Sequence, residues 1–306
     1  MSSARPDPAV AAVGMVVDAA EKLARANPEV ERALAHLVAF IRKRVAGDFD
    51  LDEAGLDRDF TERVVFPLVR LLYEKWFHVE FKGAHNLPVD GPALLVSNHS
   101  GTIALDGLIL QYAIHRNTDP HRFLRPLGAD LVFSLPLVGD LARKTGSTLA
   151  SSEDAARLLG DGELVGVFPE GFKGVGKGWS QRYRLQRFGR GGFVSTAIRA
   201  GVPIIPVSIV GAEEAYPMIA DIAPLARAIG APYFPVTPTF PLLGLLGLIP
   251  LPSRWIIEID EPMPTADLGV EQADDPMEVF EITDRVRERI QSRLYALLRE
   301  RDRTFF

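Results

Sequence analysis

Three observations in this 306-residue sequence predict an α/β fold: a central, largely parallel or mixed sheet flanked by helices, with an N-terminal helical extension. From about His78 onward, short apolar runs alternate with segments of helical periodicity, the pattern of a sheet covered by helices. Two of the runs, Ala93-Leu94-Leu95-Val96 and Leu164-Val165-Gly166-Val167, are apolar throughout, as strands buried on both faces are. The chain closes on a long charged segment with a single apolar stripe, suited to docking over such a sheet.

Taken in order, residues up to about Gly47 read as two amphipathic helices. In the second, Val30, Leu34, Leu37, Val38, Ile41 and Val45 recur at helical spacing, with Asn27 as N-cap, Pro28 at the first helical position and Gly47 beyond the end. The acidic stretch 48–59 breaks this pattern, so residues 1–58 are expected to form the extension and residues 59–306 the α/β domain. A helix over 60–77 is expected next, with Val65, Leu68, Val69, Leu72 and Trp76 on one stripe and a bend at Pro67. Strands are expected over 79–81, 93–96, 164–168, 203–210 and 255–259. The segment 276–303 is a long helix whose Val279, Ile282, Val286, Ile290, Leu294 and Leu297 form the docking stripe.

Composition narrows the function classes. A hydrophobic content of 47% with 24% charged residues fits one large core, or a core plus a helical appendage. A formal net charge of -6 argues against a general nucleic-acid binder, because phosphate neutralisation needs an excess of Lys and Arg. Locally the balance reverses. Residues 171–212 hold no Asp or Glu but carry Lys173, Lys177, Arg182, Arg184, Arg187, Arg190 and Arg199. That segment reads as a contact for an anionic partner, or as a basic face answered by acids from elsewhere. The absence of cysteine removes thiolate metal sites and thiol nucleophiles. No secretory signal is recognised over residues 1–10. The longest apolar run, 240–252, is broken by prolines and falls short of the roughly 20 residues that span a bilayer, so no transmembrane helix is expected.

The chemistry is carried by two motifs, each leaving a buried strand. Asn98-His99-Ser100-Gly101-Thr102 is followed by Asp106, and Phe168-Pro169-Glu170-Gly171 follows the second strand. Ligands in open α/β sheets bind beyond the carboxyl ends of strands, so the two can share a cleft. A histidine takes a proton from an alcohol near neutral pH when a carboxylate holds its other nitrogen, and Asp106 is the nearest candidate for His99. On one continuous helix the two would stand about 10 Å apart along the axis, so the chain between them must turn. The plainer alternative is a loop histidine beside a helix-capping aspartate. Glu170 reads as an acceptor for substrate hydroxyls, with Gly171 letting a ligand approach the backbone, or else as a turn glutamate satisfied by backbone. The run from Gly171 to Lys177 imitates the start of a phosphate-binding loop, but Gly178 stands where Ser or Thr is required, which argues against a nucleotide hydrolase. No G-x-S-x-G elbow is present, and His36, His78, His85, His115 and His121 lack metal-ligand spacing, so no metal is expected.

These blocks resemble the glycerolipid and lysophospholipid acyltransferases related to 1-acylglycerol-3-phosphate acyltransferase. The resemblance runs from about Val79 to Ile259: Asn98-His99 with a downstream Asp, then Phe168-Pro169-Glu170-Gly171, Phe188-Gly189-Arg190-Gly191-Gly192 and Val202-Pro203-Ile204-Ile205-Pro206-Val207, in that order. It implies acyl transfer from acyl-CoA or acyl carrier protein, as co-substrate without further cofactor, to a lipid hydroxyl. His99 would be the base and Asp106 its partner. Asn98, Ser100, Gly101, Phe168, Pro169, Glu170, Gly171, Lys173 and Arg190 would line the substrates, and amides near Gly101 or Gly171 would meet the oxyanion. Two departures stand out: six residues rather than the usual four separate His99 from Asp106, and Leu149-Ala150-Ser151-Ser152 stands where the family places a phosphate-gripping arginine. A neutral acceptor such as diacylglycerol or a long-chain alcohol is then as well supported as a lysophosphatidate, unless Arg182, Arg184 or Arg187 substitutes. Lipidic substrates imply a cytoplasmic protein held peripherally at the membrane. The candidate surfaces are Phe66, Leu71, Trp76 and Phe77 beside Arg63, Arg70 and Lys75, and the stretch 240–252. The alternative function is a non-catalytic lipid-binding protein of the same fold.

Overall fold

The computed structural model describes residues 39–40, 50–135, 137–189, 191–228 and 230–305. The helices expected up to residue 47 lie outside the described residues, apart from Ala39 and Phe40, which are helical. The chain divides into two compact units, Met1–Leu51 and Asp52–Phe306, and the second contains the sheet and both sequence motifs.

Nine strands are described: β1 Glu80–Lys82, β2 Ala93–Ser97, β3 Leu124–Gly128, β4 Thr148–Leu149, β5 Leu164–Val167, β6 Ile204–Val210, β7 Ala220–Asp221, β8 Pro235–Val236 and β9 Ile256–Ile259. Seven of them form one sheet in the order β1-β9-β6-β2-β5-β3-β4, and β7 pairs with β8 in a separate hairpin. Every pairing in the large sheet is parallel except β6 with β9, so the expected largely parallel or mixed sheet is what forms. β2 lies at the centre between β5 and β6, and all five of its residues are buried. Helices cover both faces, which is why this strand shows no polar alternation.

On one face, Leu95, Ile205, Val207 and Ile257 pack against the helical segment 58–76 and the Leu105–Asn117 helix. On the other, Leu94, Val96, Val165 and Ile256 meet the helices Ser152–Gly160, Gly192–Ala200 and Pro276–Glu300. The last of these has all six expected stripe residues buried, with Asp275 capping its first turn through Met277 N–H and Pro276 at its start.

Two expectations need correcting. Between residues 58 and 76 the chain alternates α and π turns: Arg58–Phe60, Thr61–Val65, Phe66–Leu71 and Leu72–Trp76. Each π turn shifts the phase of the following residues. Val65, Phe66, Val69, Tyr73 and Phe77 are therefore the buried set, whereas Leu68 is 63% exposed and Trp76 reaches the rim. The switch from π to α comes at Phe66, one residue before Pro67, which has no N–H to donate. Phe66 and Phe77 thus belong to the core and leave the proposed surface, while Leu71 remains exposed. Strands β3 and β4 were not expected at all. Arg125, Pro126 and Gly128 make β3 look like a turn, but Arg125 is buried and paired with Asp52 at 2.6 Å and Glu163 at 3.3 Å.

Candidate active site

Because β5, β2 and β6 are neighbours and parallel, their carboxyl ends deliver three loops to one edge of the sheet. The loop after β2 sits in the middle and carries His99. Asn98 anchors it. The side chain donates from Nδ2 to Ile209 O at 2.9 Å and accepts Ile209 N–H on Oδ1 at 2.8 Å, continuing the β2–β6 ladder by one residue. Its amide is bonded at both its nitrogen and its oxygen and is buried, so it clamps the loop and does not face a substrate.

The chain then doubles back over Ser100–Ala104. Gly101 adopts φ +83°, and a Cβ there would stand 3.0 Å from Ala212 O, so the turn requires glycine. Asp106 arrives as the second residue of the Leu105–Asn117 helix and is fully buried. Its Oδ2 lies 2.8 Å from His99 Nδ1 and accepts Ser100 N–H at 2.8 Å, while Oδ1 accepts Gly107 N–H at 2.9 Å. The carboxylate is locked from both sides. Since an ionised carboxylate only accepts, this contact favours the tautomer of a neutral imidazole that carries its proton on Nδ1 and leaves Nε2 as the accepting nitrogen. The Phe168 ring packs on the imidazole at 4.5 Å between centroids. Ser100 Oγ is buried and meets no acceptor or donor among the described residues.

The loop after β5 lies against this one, but Glu170 does not do what was expected of it. Its side chain has no exposed surface, and both oxygens are occupied: Oε1 accepts His99 N–H at 3.0 Å and Oε2 accepts Gln186 N–H at 2.6 Å. The hydroxyl-accepting role is corrected to the turn-glutamate reading, with the satisfied backbone being that of His99 itself. Lys177, also buried, sits 3.4 Å from Glu170 Oε2 and 3.1 Å from Glu213 Oε1. Two buried carboxylates thus share one ammonium, and burial raises the Glu213 carboxyl above its ordinary range although Lys177 and Tyr183 N–H oppose this. Gly174 is pressed against both motifs: a Cβ would meet His99 O at 2.7 Å and Glu170 Cβ at 2.8 Å.

Of the remaining expected residues, Pro169 accepts Gly189 N–H at 3.3 Å through its carbonyl, and Gly171 turns at φ +53° beside open space with its N–H spent on Phe168 O at 2.9 Å. Lys173 is exposed, and Arg190 lies outside the described residues. Two of the basic residues are answered by acids: Lys177 as above and Arg199 by Asp274. The third loop, 211–255, closes over the dyad loop. Thr102 Oγ1 donates to Tyr216 O at 2.8 Å, Tyr233 OH donates to Thr102 O at 2.7 Å, and Trp179 N–H donates to Met218 O at 2.8 Å. Lys177 is marked in the sequence only as one of the basic residues of 171–212, and Gln186, Glu213 and Tyr233 have no signal there, because each is brought in by a loop whose path the sequence does not reveal. Among the described residues no cluster of three or more His, Asp or Glu is placed to hold a metal, and no helix is long and apolar enough to cross a membrane.

Comparison with known proteins agrees on residues 78–210, which match the model of the Acyltransferase family. An uncharacterized protein of Mycobacterium tuberculosis is 52% identical over 97% of this chain and 85% of its own length. The 1-acyl-sn-glycerol-3-phosphate acyltransferase alpha of sheep, Ovis aries, is 32% identical over 49% of this chain and 50% of its own. A crystal structure of the 1-acyl-sn-glycerophosphate acyltransferase from Thermotoga maritima aligns over 79% of this chain and 83% of that one, at 20% identity and a TM-score of 0.49.

Proposed function

The chain belongs to the acyltransferase family, and on that premise we propose that it moves a fatty acyl group from an acyl thioester to a hydroxyl of a glycerolipid or other lipid alcohol, with His99 as general base. One observation carries this reading: the 2.8 Å contact between His99 Nδ1 and Asp106 Oδ2, closed across six intervening residues by a turn. In the reaction, His99 Nε2 takes the proton of the acceptor hydroxyl as its oxygen attacks the thioester carbonyl. Asp106 stabilises the imidazolium that results. Collapse of the tetrahedral intermediate breaks the C–S bond, and the departing thiolate takes the proton back from Nε2, leaving ester and free thiol. Gly101 N–H, for which no acceptor is found among the described residues, is the candidate donor to the oxyanion.

The 52% identical mycobacterial protein lends no substrate, and the name of the sheep protein supports a lysophosphatidate acceptor. Leu149-Ala150-Ser151-Ser152, without an arginine, supports a neutral one. Peripheral membrane contact is part of the same proposal. In the third loop Leu242 is 85% exposed, and Leu243, Leu246, Leu248 and Ile249 are exposed beside it. A second apolar tip, Leu135, Leu137 and Val138, follows β3 at the same edge of the sheet.

The test is turnover of radiolabelled acyl-CoA by the purified chain against lysophosphatidate, diacylglycerol, monoacylglycerol and a long-chain alcohol. His99→Ala is expected to lower kcat by roughly 10³-fold or more and Asp106→Asn by about 10²–10⁴-fold, with folding unchanged. Lipid binding without turnover of any acceptor, unaltered in His99→Ala, would instead establish a non-catalytic lipid binder.

A further inference from the structure

A cavity of about 230 Å³ outside the dyad is lined by Trp76, His78, Ser253, Arg254, Arg303 and Phe305. Two arginines share its wall with two aromatic side chains, and no ion pair to a carboxylate is found for Arg254 or Arg303 among the described residues. The walls are fastened: Arg254 N–H donates to Thr304 O at 3.0 Å, Trp255 N–H to Phe77 O at 3.0 Å, and Trp76 Nε1–H to Pro250 O at 3.0 Å.

The cavity opens on the edge that carries His99. β9 runs antiparallel to β6, so its start at Ile256 lies beside Val210, the carboxyl end of β6. β1 is parallel to β9 and starts at the same edge. From β2 to β9 is two strand spacings and to β1 three, about 10–15 Å. A short chain of contacts joins the two places. Gly101 of the dyad loop abuts Ala212 O, Gly211 O accepts Ser253 Oγ–H at 2.9 Å, and Ser253 is part of the cavity wall.

We propose that this cavity binds the nucleotide end of an acyl-CoA donor, with Arg254 and Arg303 on its phosphates and Trp76 and Phe305 against the adenine. The inference rests on the acyl-transfer reading above, which needs a thioester donor. Arginine suits phosphate through its planar set of donors, and aromatic faces suit a flat heterocycle, whereas a bare anion has no use for the two rings. The pantetheine arm of coenzyme A is the part that spans from such a site to a thioester at His99. An arm of that kind explains why the cationic pocket and the base are separated along one sheet edge.

The experiment uses the full chain and the variants R254Q, R303Q and R254Q/R303Q. Calorimetric binding of coenzyme A, adenosine 3′,5′-bisphosphate, inorganic phosphate and phosphatidylglycerol vesicles is compared with steady-state turnover of acyl-CoA and of acyl-pantetheine. The double variant is expected to weaken coenzyme A binding at least tenfold and to raise KM for acyl-CoA by a similar factor. Its kcat and its KM for acyl-pantetheine, which carries neither nucleotide nor phosphate, stay unchanged. Undiminished coenzyme A affinity in the double variant, an equal loss with both donors, or inorganic phosphate or vesicles binding the arginines as tightly as coenzyme A each overturns the assignment. If no acceptor is acylated, arginine-dependent binding of coenzyme A still supports the cavity and only the acyl-transfer reading fails. Turnover with unaltered donor affinity overturns the cavity and leaves the reaction standing.

Discussion

At the scale of single residues, Glu170 is the side chain on which the dyad loop depends. It accepts the amide of His99 and the amide of Gln186 while facing Lys177. In Glu170→Gln only one side-chain oxygen remains to accept, the amide group points its own donors at the other N–H, and Lys177 is left to Glu213 alone. A loss of about 1–3 kcal/mol is expected, seen as a lower urea midpoint, with kcat falling because His99 loses its backbone anchor. The pairing of His99 with Asp106 is legible in the sequence because both lie within one strand, turn and helix, where spacing and turn chemistry constrain geometry. The role of Glu170 is not, since a glutamate after a strand looks the same whether it faces a substrate or the backbone of a loop 71 residues away.

At the scale of elements, the last turn of the Leu105–Asn117 helix presses His115 into the aromatic cluster of the helical segment before β1. Its ring lies 4.8 Å from Phe66, 4.7 Å from Phe123 and 4.7 Å from His121, with Nε2 at 3.8 Å from Glu62. Burial, reinforced by His121 and Arg58, lowers its pKa from 6.5 to about 4. The unfolded chain therefore binds a proton at His115 below pH 6.5 that the folded chain refuses until about pH 4. Stability from this group is whole above pH 6.5, is lost as pH falls towards 4, and amounts to about 2–3 kcal/mol. Urea denaturation at pH 7.5 and 4.5 should show a smaller drop for His115→Gln than for the parent, because the carboxylates titrate alike in both. The C-terminal helix is the element most fully legible in sequence, since one stripe and two capping residues specify it. The helical segment before β1 is less so, because its π turns alter the residue period on which stripe reading depends.

At the scale of the whole molecule, apolar side chains that a sheet protein would normally cover are gathered on the edge where the three loops emerge. Leu242, Leu243 and Leu246 can be exchanged for serine without touching the dyad. Sedimentation with anionic vesicles should fall at least tenfold in that triple variant, since each leucine contributes about 1.5–3 kcal/mol when taken out of water. Unchanged sedimentation would place the contact elsewhere. The architecture as a class is legible from alternation alone, but not the flank formed by β3 and β4, where a buried arginine neutralised by Asp52 and Glu163 stands in for a hydrophobic residue.

The reversal of β9 has one more consequence. Because that strand runs back alongside β6, the polypeptide between them departs and returns on a single rim, like the handle of a jug. Lengthening or trimming such a handle re-threads nothing underneath, and its closure cost grows only with the logarithm of its length. On the acyl-transfer proposal, selectivity among alcohols would vary with the outer part of the handle, whereas Tyr216 and Tyr233, which bond Thr102 from it, tie its inner part to the loop of His99.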